Sequence, residues 1–227
     1  MRTALVTHCW LDFPGEAYAK RLPRFIDYYQ GLCPVTVIDN GSSPATGRQW
    51  ANTLKSAAYI LTATPHYDRA SMLDYPYVWR NYWVIKDLLQ TYDRIFYIAT
   101  DARIISQRLL DYLEGLEEGW VALWSPKYNF PEPCIQVITR CEEFEEFFAG
   151  PCDPFKYNGQ IEELTLPFTH VEHGFMGDRY GEYGPGEVVP PLAEMDYYTQ
   201  LPDEGFDDSL LPVIRRIDGK ATVTNVA

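Results

Sequence analysis

The stretch FYIATDARII, Phe96 to Ile105, is a nearly all-apolar run that ends in one carboxylate, Asp101, with Ala99 two residues before it. A carboxylate at the mouth of a buried strand is a hard oxygen ligand, suited to Mg²⁺ or Mn²⁺ when phosphate oxygens and water complete the shell. A second group lies in THVEHGFMGD, Thr169 to Asp178, where His170 and His173 flank Glu172. Imidazole suits Mn²⁺ or a borderline ion better than Mg²⁺. His173 reads either as a ligand contact or as a buried structural histidine. Glycine and proline nearby argue against a helical zinc pair, and no third soft ligand is spaced for one. Glu132, in the loop after Trp124 and Ser125, and Glu172 are the carboxyls available as a general base. Tyr128, Asn129 and Phe130 stand in the same loop, where contacts to a ligand are expected.

These residues need a frame, and the apolar patterning supplies one. ALVTH (4–8) reads as a first strand, 15–32 as a helix stopped by Gly31, and VTVID (35–39) as a second strand closed by the turn residues NGSS. The interval between the two strands is long enough for a crossover helix, so they pair in parallel. A helix near 47–58, a strand at 59–62, a broad-faced helix at 79–92 and a buried strand at 95–100 follow. Leu109, Leu110, Leu113 and Leu116 mark a further helix. Residues 120–124 and 134–139 complete the sheet, and EEFEEFF forms a helix after them. From Gly150 onward proline and glycine become dense, and GDRYGEYGPGEVVPP (177–191) reads as loop. The expectation is one α/β domain over 1–227, a mostly parallel central sheet flanked by helices with an irregular C-terminal arm.

In open parallel sheets, ligands bind beyond the carboxyl ends of the strands. Three such ends are polar: Thr7 and His8, then Asp39 and Asn40, then Thr100 and Asp101. Asp39 and Asn40 serve either as a plain turn or as acceptors for a nucleoside. Arg80 and Arg103 carry charge that suits a diphosphate; each also suits a surface ion pair, which is the favoured reading for Arg103.

The formal net charge of -13 runs against a duplex nucleic-acid partner held by phosphate neutralisation, although Lys20, Arg21 and Arg24 form a modest basic cluster. Five cysteines at irregular spacing fit reduced thiols in a cytoplasmic protein. No apolar run approaches the about 20 residues that span a bilayer, and residues 1–16 lack the apolar core of a signal peptide. Aromatic residues are 15% of the chain, which fits an aromatic-lined cleft or an aromatic core equally well.

ALVTH, VIDNGS and the run WRNYWVIKDLLQTYDRIFYIATDARI together resemble the GT-A class of nucleotide-sugar glycosyltransferases, a Rossmann-related fold, over roughly residues 1–173. In that family the central strand ends D-x-D; here the first Asp is Ala99, so Asp101 alone carries over. The resemblance implies a nucleotide-sugar donor held by Thr7, His8, Asp39, Asn40, Arg80 and Asp101. It further implies a divalent cation, Mn²⁺ or Mg²⁺, on Asp101 and His173, and a base at Glu172 or Glu132. The halves would be 1–105 for the donor and 106–178 for the acceptor, with 179–227 as the arm. The acceptor is open: a saccharide, a small molecule, a protein or a modified nucleobase. Two other readings remain beside it. A nucleotidyltransferase shares the α/β layout but lacks here a Gly- and Arg-rich loop after the first strand. A degenerate member that binds a nucleotide sugar or glycan without turnover is kept in view by Ala99.

Overall fold

The computed structural model describes residues 1–12, 17–54, 56–62, 76–157, 159–183, 187–188, 190–202 and 211–224. The expected helix start at Gly15 and the Gly184 to Gly186 part of the expected loop lie outside them.

Strand β1 (Thr3–Cys9) is followed by helix α1 (Ala17–Tyr29) and strand β2 (Val35–Asp39), which pairs with β1 in parallel, Cys9 level with Asp39. Helix α2 (Pro44–Thr53) starts earlier than its apolar pattern indicates, because Ser43 caps it and Pro44 opens its first turn. Strand β3 (Ala57–Leu61) adds beside β2, again in parallel. The chain then returns through α3 (Pro76–Leu88) to β4 (Arg94–Ile98), which pairs in parallel with the other edge of β1. The short β5 (Arg103–Ile104) and helix α4 (Gln107–Gly115) follow, the helix capped by Ser106. Strands β6 (Trp120–Ser125) and β7 (Phe130–Thr139) form an antiparallel hairpin, and β7 lies antiparallel to β4. Helix α5 (Glu142–Phe147) and the single turn α6 (Glu162–Thr165) lead to β8 (His170–Glu172), parallel to β6. The sheet order is β3-β2-β1-β4-β7-β6-β8, mostly parallel as expected.

Two apolar layers close over this sheet. On one face Phe25, Tyr29, Leu109, Leu110 and Leu113 of α1 and α4 pack on Leu5, Val37, Phe96 and Val121. On the other, Trp79, Tyr82, Trp83, Phe144 and Phe148 pack on Val6, Ile38, Tyr97 and Trp120. The aromatic side chains of α3 are therefore core: Tyr82 stacks on Phe148 at 5.0 Å and 10°.

The arm is more ordered than its glycine and proline content indicates. Strand β9 (Gly177–Arg179) lies inside the stretch read as loop and pairs with β10 (Tyr197–Thr199), which also pairs with β5. Gly177 permits this, since a Cβ there would stand 2.0 Å from the Tyr197 ring. A hairpin, β11 (Val213–Ile217) with β12 (Lys220–Thr224), then packs beside α1 and α4. Strands of three residues carry too little period-2 pattern to be seen in sequence. β8 escaped notice for the same reason.

Candidate functional site

The order of the sheet fixes where a site can lie. From β1 the chain moves outward to β2 and β3 and then crosses back to β4, with α1 on one face and α3 on the other. The crevice between the carboxyl ends of β1 and β4 is thus a topological switch point, where α/β sheets bind ligands. The polar ends of β1, β2 and β4 open on that edge, and so does the end of β8.

At the end of β4, Asp101 is partly exposed and faces Arg21 of α1, Oδ2 to Nη1 at 3.3 Å, with side-chain exposures of 23% and 20%. A guanidinium thus faces this carboxylate. Ala99 is instead drawn into the sheet, its N–H donating to the Cys134 carbonyl. Next to the pair, His8 Nδ1 lies 2.9 Å from the Tyr97 hydroxyl, which also accepts from Asn81 Nδ2 at 3.2 Å. Burial pushes the His8 imidazole down to about 4, and the positive charge of Arg21 adds to that push. His8 is therefore neutral at physiological pH, able to exchange a hydrogen bond but not to carry charge.

Asn40 and Arg80 come together as well: Arg80 Nη2 donates to Asn40 Oδ1 at 3.1 Å, with both side chains buried where the end of β2 meets α3. Thr7 is fully buried beneath this edge, and its hydroxyl has no hydrogen-bond partner among the described residues. Asp39 lies among internal partners. Its Oδ1 accepts from Ser42 N at 3.1 Å and Ser42 Oγ at 2.7 Å, and Oδ2 accepts from the Tyr59 hydroxyl. Its carboxylate thus ties down the turn that carries Asn40. Arg103 is no surface residue: it is buried, donates to the Thr100 and Ala102 carbonyls, and lies over the Phe25 and Tyr28 rings.

The two carboxyls expected to act as a base differ sharply. Glu132, on β7, is 1% exposed and accepts from Arg179 Nε at 2.8 Å, Thr199 Oγ1 at 3.3 Å and Cys134 N at 3.2 Å. Arg179 also donates to Glu163 at 2.7 Å, so the group is a buried ion triad joining β7, β9 and α6. Glu172, at the end of β8, is partly exposed. Burial raises its carboxyl, but hydrogen bonds from Gly174 N, His170 and Tyr112 outweigh that and hold it below the usual range. His173 is exposed, not buried, and its ring lies against Trp124 at 4.5 Å. In the neighbouring loop, Tyr128 stacks on Phe130 at 5.7 Å, and Arg179 stands over the Phe130 ring.

Among the described residues no three His, Cys, Asp or Glu side chains converge to hold a metal. Asp101 is a single hard oxygen ligand, and the Arg21 guanidinium already faces it. Sequence reasoning noted Arg21 only as part of a basic cluster. Its position beside Asp101 and His8 follows from α1 leaving the carboxyl end of β1, next to which β4 lies.

No family model matches the sequence, and no curated protein matches it. Among solved structures, the chain resembles the mannosyltransferase PcManGT from Pyrobaculum calidifontis, in complex with GDP-Man and Mn²⁺. There the TM-score is 0.40 with 15% identity over 70% of this chain and 50% of that one. It thus spans half the length of that enzyme. The galactosyltransferase LgtC, in complex with donor and acceptor sugar analogs, gives 0.49 with 11% identity over 86% of each chain. A glycosyltransferase involved in glycosylation of the major capsid of PBCV-1 gives 0.43 with 7% identity over 88% of this chain and 93% of that one. Likenesses this loose carry no chemistry from those proteins to this one.

Proposed function

We propose that the chain is a glycosyltransferase that binds a nucleotide-sugar donor at the β1–β4 crevice and passes the sugar to an acceptor on the β6–β8 side. The observation that supports it is the Asp101–Arg21 pair with His8 at the topological switch point, with the Asn40–Arg80 pair at the neighbouring end of β2. Breaking the bond between a sugar and a nucleoside diphosphate leaves negative charge on the departing phosphate, which must be met by fixed positive charge. Arg21 supplies a guanidinium suited to bidentate phosphate contacts, and the buried Arg80 adds positive charge and holds Asn40. Neutral His8 and the Asn40 amide offer hydrogen bonds to the nucleoside, and Thr7 and Asp39 shape the strand ends that hold them.

A divalent cation bound with the donor would supply Lewis-acid stabilisation of the same phosphate charge. Asp101 would hold it, with His173 as the imidazole on the same sheet edge. Of the two carboxyls considered as a base, Glu172 is the accessible one and takes that role towards the acceptor hydroxyl. The division into a donor half (1–105) and an acceptor-side half (106–178) belongs to this reading. So does a cytoplasmic setting, which the five free cysteines favour. No helix among the described residues is long and apolar enough to cross a membrane.

The test is calorimetric titration of a panel of nucleoside-diphosphate sugars, with and without Mn²⁺, followed by assays of donor hydrolysis and transfer. One donor class is expected to bind, more tightly with Mn²⁺, and to turn over. Asp101→Ala is expected to lose the Mn²⁺-dependent gain while melting as a folded protein. Binding without hydrolysis or transfer under any metal condition would assign the chain as a nucleotide-sugar binder instead. Absence of binding to every donor would refute the proposal.

A further inference from the structure

We infer that Asp12 is a positioning residue of the donor crevice: it fastens the loop that leaves β1 to the first turn of α2, and so holds one rim of the crevice in place before a ligand arrives. This rests on the donor site proposed above and adds to it a residue that acts through the backbone beside it. The loop starts at Trp10, directly after His8 and Cys9 of β1, and it is tied down twice. Leu11 N donates to Ser42 Oγ at 2.8 Å, and Ser42 is held in turn by the buried Asp39, through its hydroxyl at 2.7 Å and its N–H at 3.1 Å. One residue further on, the Asp12 carboxylate accepts from Ser43 N and the Thr46 hydroxyl, with Ser43 Oγ at 3.5 Å. Ser43 is the N-cap of α2, so an acid of the β1 loop lies on the positive end of that helix.

The two fastenings differ in kind. The inner one, at Leu11, is backed by a buried carboxylate. The outer one joins exposed residues, Asp12 and Ser43, and has the modest strength of a helix cap. Without it the loop opens more readily, and a ligand that rests against the end of β1 must order it on binding, at an entropic cost that lowers affinity. With it, that ordering is complete in the ligand-free chain. The negative charge of Asp12 is unsuited to touching a diphosphate, so its effect runs through the loop. Helix α2 also supplies a control. Ser43 Oγ caps the helix by accepting from Thr46 N at 3.3 Å, and removing that hydroxyl weakens α2 while leaving Ser43 N and the Thr46 hydroxyl for Asp12.

The experiment compares Asp12→Ala, Asp12→Asn and Ser43→Ala with wild type in two measurements. One is amide hydrogen exchange at Leu11 in the ligand-free chain; the other is calorimetric affinity for UDP and GDP. Asp12→Ala is expected to exchange Leu11 about fivefold faster and to bind the preferred nucleotide about fivefold more weakly. Asp12→Asn keeps an acceptor oxygen and is expected to recover most of both. Ser43→Ala is expected to melt below wild type yet match it within about twofold in both measurements, which a role for Asp12 as a mere helix cap does not allow. Leu11 exchange unchanged in Asp12→Ala would overturn the inference. So would faster exchange with unchanged nucleotide affinity, or an equal loss of affinity in Ser43→Ala. If neither UDP, GDP nor any nucleotide sugar binds wild type, the donor reading fails, while Leu11 exchange still decides whether Asp12 fastens the loop.

Discussion

Glu132→Gln separates a structural carboxylate from a catalytic one. The substitution is nearly isosteric and removes the charge that faces Arg179 Nε at 2.8 Å, in a place where Glu132 is 1% exposed. Removing one partner of a buried ion pair costs about 3–5 kcal/mol, because the other charge is left uncompensated. Arg179 keeps Glu163 at 2.7 Å, and that side chain is itself 17% exposed. The lower end, about 3 kcal/mol, is therefore expected. Against a total of roughly 5–15 kcal/mol this is a large loss. With an m-value of about 3 kcal/mol/M for a chain of this size, the urea midpoint should fall by about 1 M. Tryptophan fluorescence during urea unfolding reads the shift, and donor hydrolysis is measured where the variant is still folded. Hydrolysis per folded molecule should change little. A midpoint within about 0.3 M of wild type, with hydrolysis reduced about 10²-fold or more, would make Glu132 the base and refute the reasoning.

Asp39→Asn leaves the buried donors Ser42 N, Ser42 Oγ and the Tyr59 hydroxyl one acceptor short, at a cost of about 1–3 kcal/mol. Differential scanning calorimetry should show a melting temperature about 4–8 °C lower for the middle of that range; an unchanged melt would return Asp39 to ligand binding. His173→Ala should weaken Mn²⁺ affinity of the nucleotide-bound chain severalfold without altering nucleotide affinity in EDTA, and unchanged Mn²⁺ affinity would leave the ring only its contact with Trp124. Glu162 gives a pH dependence. Burial pushes its carboxyl up to about 8, aided by Glu163 and Glu132 and opposed by the Tyr82 hydrogen bond and Arg179. The folded chain then holds a proton that the unfolded chain releases near the ordinary carboxyl pKa of about 4.3. Stability from this group falls as pH rises from there to about 8 and levels off above. Urea midpoints at pH 5.5 and 8 should differ less in Glu162→Gln than in wild type, and equal differences would dismiss the shift.

The half of the fold that carries the β1–β4 crevice was legible because its elements are long and buried on both faces. VTVID is β2 to the residue, and the apolar run before Asp101 is β4. Starts and stops were less legible where caps decide them. Ser43 and Pro44 begin α2 three residues before the expected start at Gly47, because side-chain capping and the fixed φ of proline act ahead of any apolar pattern. The arm was least legible. β9 and β10 are three residues each, and what orders them is the fit of the Tyr197 ring over Gly177 together with the buried reach of Arg179 to Glu132. Those contacts join residues far apart in the chain, and no local window contains them.

The site divides along the same line. Asp101, His8, Asn40 and Arg80 could be named because each stands at the end of a recognisable strand or within a recognisable helix. What Asp101 faces could not, since its partner is 80 residues away and the adjacency of β1 and β4 is a matter of sheet order, which apolar periodicity does not encode. The distinction changes the chemistry. Two carboxylates at a strand end would repel a diphosphate until a cation had bound. One carboxylate faced by a guanidinium presents a smaller barrier of that kind. On the donor-site reading proposed above, that local pairing eases the approach of an anionic ligand to this edge in a chain of net charge -13.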